Sequence, residues 1–114
     1  MTQSDKKQNL TEIVSLLRSA ESIILQTSRE TVDVATLIQL NTEYSALDSY
    51  LSQVLHALAI SDDSLFESAS SALKQQASVL QQNEDDINKI VKNIELAAKI
   101  AGTLAQAAKL ATSL

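Results

Sequence analysis

The sequence predicts an all-α protein, an antiparallel four-helix bundle, and three observations carry that expectation. The 114 residues include no Pro and one Gly, whereas sheets and tight turns ordinarily draw on both. Aromatic residues are only 3% of the chain, so the core has to be built from Leu, Ile, Val and Ala. Apolar residues also recur at alternating three- and four-residue steps, the period of one helix face. The length fits one domain with one core. The expected division is a disordered N-terminus over 1–8 and a single helical domain over 9–114.

The first helix, expected over 9–27, places Leu10, Ile13, Leu17, Ala20 and Ile24 on one face, with Asn9 and Glu12 as a capping pair. The second, over 31–60, carries Leu37, Leu40, Tyr44, Leu47, Leu51, Val54 and Leu58. Steps of seven from Leu10 arrive at Ile38, one residue past Leu37, so the register slips between the two series. The slip falls across "QTSRETVD", residues that favour caps and turns. "ISDDS", 60–64, is the next stop: Ser64 and Glu67 read as a capping box, with Asp62 and Asp63 ahead of it. The third helix, 64–82, carries Phe66, Ala69, Leu73 and Leu80, with Gln76 at an expected apolar slot. Its register runs on through Ile87, Ile90, Ile94 and Ala97. The cap chemistry of "QQNEDD", with Asn83 before three acids, nevertheless places a fourth helix over 84–112.

An alternative joins these segments into two arms of about 75 Å, at 1.5 Å per residue. Such a hairpin covers too little surface per helix and would have to dimerise. The bundle is the primary expectation.

"AAKIAGTLAQAAKLA", residues 97–111, contains seven alanines. On a helical wheel Lys92, Glu95, Lys99, Thr103, Gln106 and Ser113 form one narrow polar stripe, and the rest is Ala, Ile and Leu. A helix apolar over so wide an arc needs cover on two or three sides, and small side chains let a neighbouring backbone approach closely. Ala97, Ala101, Leu104, Ala108 and Ala111 are therefore the expected close-packing or interface face. Ala107 falls nearer the polar stripe. An amphipathic membrane-surface helix over 84–114 is a competing reading, although no Trp or Phe is there to anchor it.

Charge is uneven. From Glu30 to Leu73 there are seven acidic residues and no Lys or Arg, and after Ile87 four Lys and one Glu. Acidic and basic helices can pair within one chain or between two, biasing orientation more than stability. A net charge of −5, with no basic patch interleaved with aromatics, argues against nucleic acid.

Most chemistry lacks its residues. The chain has no Cys, hence no disulfide, thiolate metal site or cysteine nucleophile. His56 is the one histidine, and Gln53 stands three residues before it, where a di-iron bundle needs Glu. "SDDS" and "EDD" lack the alternating ligands and turn glycine of a calcium loop. No catalytic residue, metal site or cofactor is expected. The chain has no apolar stretch with a cleavage site behind its first lysines, so a cytoplasmic location is expected. Leaderless export would leave no trace in the sequence.

One single-histidine chemistry stays open. "LHALAIS", 55–61, resembles the H-x-L-K-G-S pattern of histidine phosphotransfer domains at His56, Leu58 and Ser61. That resemblance implies a helical bundle with His56 as an exposed phosphoacceptor. Ala59 stands where the family has Lys, and Ile60 where it has Gly. In size and helical content the chain is also similar to small leaderless secreted hairpins of the W-x-G class, but it has no Trp and its turn reads "SDDS".

The expected function is therefore non-catalytic binding of a protein partner or of a second copy, as in a small chaperone, adaptor or immunity-type inhibitor. Phosphotransfer through His56 and membrane-surface action through 84–114 are the alternatives.

Overall fold

The computed structural model describes residues 2–114 and contains α1 (Gln3–Glu30), α2 (Val34–Ala59), α3 (Asp63–Gln75), α4 (Ser78–Ile90) and α5 (Ile94–Thr112). Helices α3 and α4 meet at a two-residue turn and run on as one bent rod, so the architecture is a four-rod bundle. α1 packs on α2 and α5, α2 on α3 and α4, and both halves of the bent rod pack back on α5. The three-residue connections at 31–33, 60–62 and 91–93 force antiparallel neighbours. The molecule measures 47 × 19 × 19 Å. A 28-residue α1 is about 42 Å long at 1.5 Å per residue, so one helix spans the bundle. The extended hairpin, with arms of about 75 Å, does not fit that length.

Each boundary has a local cause. Thr2 caps α1 through a capping box with Asp5, so the helix begins inside the segment expected to be disordered. Residue 1 lies outside the described residues. Asn9 and Glu12, read as a cap, lie within α1, where Asn9 is half-buried. α1 runs on to Glu30, and Asp33 caps α2 by accepting from the Thr36 amide at 3.1 Å and its hydroxyl at 2.6 Å. Those bonds hold the Asp33 carboxyl below its ordinary range. Asp62, rather than Ser64, caps α3, accepting from the Leu65 amide at 3.0 Å. An aspartate two residues earlier takes the cap because it already sits in extended backbone there.

The largest correction concerns the last two helices. No break occurs at 83–84. Asn83 is buried, and its side-chain amide donates to the Glu43 carboxylate and, at 3.4 Å, to the Glu43 carbonyl. The true break is at 91–93, where Asn93 accepts from the Glu95 and Leu96 amides at 3.1 and 3.2 Å. Apolar register alone puts Ile94 in the core, but it lies just past the turn and faces solvent.

The bend between α3 and α4 involves neither Pro nor Gly. The Ala77 amide bonds to the Lys74 carbonyl at 3.2 Å, which leaves the Leu73 carbonyl without its usual partner four residues on. The Tyr50 hydroxyl donates to that carbonyl at 2.8 Å from inside the core. A side chain inserted into the ladder is a recognised cause of a kink. The kink also moves the apolar slot from the exposed Gln76 to the buried Ala77. Burial raises the Tyr50 hydroxyl to about 12, so it remains a donor throughout the physiological range. Tyr50→Phe removes the donor and leaves a buried carbonyl unpaired. It is expected to cost about 1 to 2 kcal/mol, read as a lower urea midpoint at unchanged m-value. An unchanged midpoint would show that the carbonyl finds another partner.

The core lies along the axis. Leu10, Ile13, Leu17, Ala20 and Ile24 of α1 are all buried, as their spacing predicts. Leu40, Leu47, Leu51 and Val54 of α2 join them, while Leu37, Tyr44 and Leu58 are only half-buried. Tyr50 and Ala57, absent from the α2 series, are core residues.

Candidate functional site

Four features have the potential for chemistry or recognition: the alanine face, the histidine, two buried carboxylates and an aliphatic end.

The alanine face is used inside the monomer. Ala97, Ala101, Leu104, Ala108 and Ala111 are all buried within the single chain, covered by the rods beside α5. Ala107, expected near the polar stripe, is fully buried, more so than Ala101. Residues 98, 99, 102, 105, 106 and 109 form the exposed side of that stretch. Membrane-surface action through this face would require α5 to leave the bundle. No helix among the described residues is long and apolar enough to cross a membrane.

His56 is exposed, on the outward side of α2 as its spacing predicts. It borders a shallow cleft between α2 and α3 shared with Ser52, Gln53, Ala69, Ala72 and Leu73. No Lys or Arg lines that cleft, so nothing there would neutralise a phosphoryl group on the ring. The three residues matching the phosphotransfer pattern do not share one face. Leu58 is half-buried, and Ser61 lies in the α2–α3 connection. His56→Ala is expected to change stability by less than about 0.5 kcal/mol and to leave partner binding intact. Acid-labile phosphate on the wild-type chain, absent from this variant, would reverse that assignment.

Two carboxylates are buried, each three or four residues from core positions of its own helix. Glu43 of α2 points at α4, where Asn83 donates to it and Asp86 lies alongside. Burial first, and then Asp86, raise its carboxyl to about 7, with Asn83 pulling the other way. Glu21 of α1 faces Tyr44 and Asp48 of α2. Burial raises its carboxyl too, and its Oε1 has no hydrogen-bond partner. Both acids therefore lie in seams made by α2. Glu43 has Asn83 and Asp86 beside it, and Glu21 has Tyr44, Asp48 and Arg18; among the described residues no group of three His, Asp or Glu side chains comes together around a cation position.

The aliphatic end is the feature that the spacing of the apolar residues does not reveal. The α1–α2 and α4–α5 connections lie side by side at one end of the bundle, with a cleft of about 340 Å³ between them. Val32, 96% exposed, lines that cleft, and Val34, Ile38 and Ile94, 68%, 61% and 84% exposed, lie in the adjoining N-terminal parts of α2 and α5. Half-buried Ile90 and buried Val91 form the cleft floor, and Asp33 and Lys92 stand on opposite walls. Single exposed aliphatics are ordinary, and four at the same end of one bundle make that end a candidate surface. At the opposite end Leu65 is exposed among Asp62, Asp63 and Glu67. Lys6 pairs with Glu67, and Lys7 lies 5.3 Å from the Phe66 ring centre. Acidic and basic side chains are tied to one another at that end.

The chain matches no protein-family model, no curated protein and no solved structure.

Proposed function

We propose that the chain is a non-catalytic helical module that acts by binding protein, in the manner of a small chaperone, adaptor or immunity-type inhibitor. The observation that carries this reading is the exposed aliphatic end: Val32 at the cleft, with Val34, Ile38 and Ile94 exposed at the same end of the bundle. The bundle does not need these side chains for its own core, which is already filled by the seams of α1, α2, α4 and α5. Leaving them in water is unfavourable by about 25 cal/mol per Å² of apolar surface, and covering them is the available gain on association. The alanine face, the other candidate interface, is already occupied.

The test is affinity capture from the source organism with the wild-type chain and a Val32→Asp/Ile94→Asp variant in parallel. Both changes sit on exposed positions, and a matching helical spectrum confirms that the variant folds. A partner held by the wild type and lost by the variant supports the reading. Identical capture by both, with self-association also identical, would remove this end from consideration.

A further inference from the structure

We propose that this aliphatic end receives a second copy of the same chain, docked end to end about a two-fold axis that runs parallel to the two connections. The proposal rests on reading that end as an interaction surface and names its occupant.

Charge selects the occupant. The last turns and connections at this end carry Arg29, Glu30, Asp33, Lys89, Lys92 and Glu95, all exposed. Three are cations and three are anions, so the end is neutral on a chain whose net charge is −5. The six are not mixed at random. Arg29, Glu30 and Asp33 make the α1–α2 corner net negative, and Lys89, Lys92 and Glu95 make the α4–α5 corner net positive. In the ring of rods these corners occupy opposite edges of the end face.

A two-fold contact brings the same patch from both copies together, so residue i meets j and j meets i. With the axis parallel to the connections, each negative corner lies over the other copy's positive corner. Glu30 and Asp33 then meet Lys89 and Lys92 twice over. The second copy's Val32, the most exposed aliphatic side chain, is positioned to enter the cleft between the connections. At the opposite end Glu67 is already paired with Lys6 of its own chain, and Leu65 is the exposed aliphatic residue beside the connection.

Size sets the strength. A 19 × 19 Å end face is less than half of the roughly 800 Å² per partner of a standard interface. The dimer is therefore weak, with a dissociation constant between about 10 μM and 1 mM, and weaker still in high salt.

Sedimentation of the full chain from about 10 μM to 1 mM at low salt tests this. The wild type is expected to shift reversibly from monomer to dimer, and Val32→Asp/Ile94→Asp to remain monomeric. Leu65→Asp, at the far end, should behave as wild type. Glu30→Lys makes both corners positive and Lys92→Glu makes both negative, and neither removes a helix cap. Each alone should lose self-association, and an equimolar mixture of the two should recover a dimer. A wild type that stays monomeric at 1 mM overturns the proposal, as does a dimer that survives Val32→Asp/Ile94→Asp. If the wild type is monomeric but that same variant loses a different captured protein, the binding function stands and the second copy is the wrong occupant.

Discussion

Ala107→Leu is expected to destabilise the bundle by about 2 to 3 kcal/mol, more than the same change at Ala101. Ala107 has no exposed surface, whereas Ala101 keeps 9%. α5 packs on α1 and on the bent rod, so added methylenes at a position with no exposed surface would push against a neighbouring rod. A close-packed interior answers by forcing off-rotamer side chains or moving the rod. Ala111→Leu, at a position that also has no exposed surface, should cost as much as Ala107→Leu, and Ala108→Leu, 4% exposed, should fall between. Ala98→Leu and Ala105→Leu, on the exposed side, should stay within about 0.5 kcal/mol. The measurement is urea unfolding at two protein concentrations. A cost that is the same at both places the contact inside the monomer. A neutral Ala107→Leu would mean that α5 is loosely held, and membrane-surface action through 84–114 would return as the leading reading.

The reversed order of Ala107 and Ala101 shows what a helical wheel can miss. The wheel draws the polar stripe from Lys92 through Ser113 as though one helix ran through all of it. Lys92 lies in the α4–α5 connection, before the cap at Asn93. A helix restarted there is free to take a new phase. The phase that buries Ile100, Leu104, Ala107 and Ala111 also turns Ile94 outward. Spacing is a sound guide along the uninterrupted stretch from Leu10 to Ile24, where nothing resets the helix. It fails at Asn83, because an asparagine before acids looks the same whether it caps a helix or bonds to a carboxylate across a seam. The distinguishing partner, Glu43, is 40 residues away and no local pattern reveals it.

The candidate surface is hidden for a related reason. Val32 and Ile94 are aliphatic residues beside turns, and their composition is that of core. Only the placement of two connections at the same end makes them neighbours. Glu21 and Glu43 carry the opposite disguise, since acids on a helix read as solvated. The acidic middle and basic last third are legible in the sequence, but their becoming opposite edges of one end face is not.

Glu43→Gln is expected to stabilise the protein at pH 8 by about 2 to 3 kcal/mol and to do almost nothing at pH 4. Glu43 has its folded carboxyl raised from 4.5 to about 7, by burial first and then by Asp86. A raised carboxyl binds its proton more tightly in the folded state than in the unfolded one. Its contribution to stability is therefore complete below about pH 4.5 and is lost as pH rises through about 7. Each tenfold gain in proton affinity corresponds to about 1.4 kcal/mol, and partial access of water trims the total. Above pH 7 the ionised Glu43 faces Asp86 across the α2–α4 seam. Glutamine has nearly the same shape and no charge to form. Its oxygen can still accept from Asn83, and its amide can donate to Asp86. Glu21 contributes in the same direction in the α1–α2 seam, so α2 is the rod loosened from both sides as pH rises. The check is urea unfolding of wild type and variant from pH 4 to pH 8, with the difference between them plotted against pH. That difference should rise through the interval between about pH 4.5 and 7 and level off above it. A flat difference would show that Glu43 titrates in the folded chain as it does in the unfolded one, and the seam would then hold a water-exposed carboxylate rather than a buried acid. Amide exchange offers a second reading: protection along Val34–Ala59 should fall on going from pH 6 to pH 8 beyond the intrinsic rise in exchange rate, and Glu43→Gln should restore most of it.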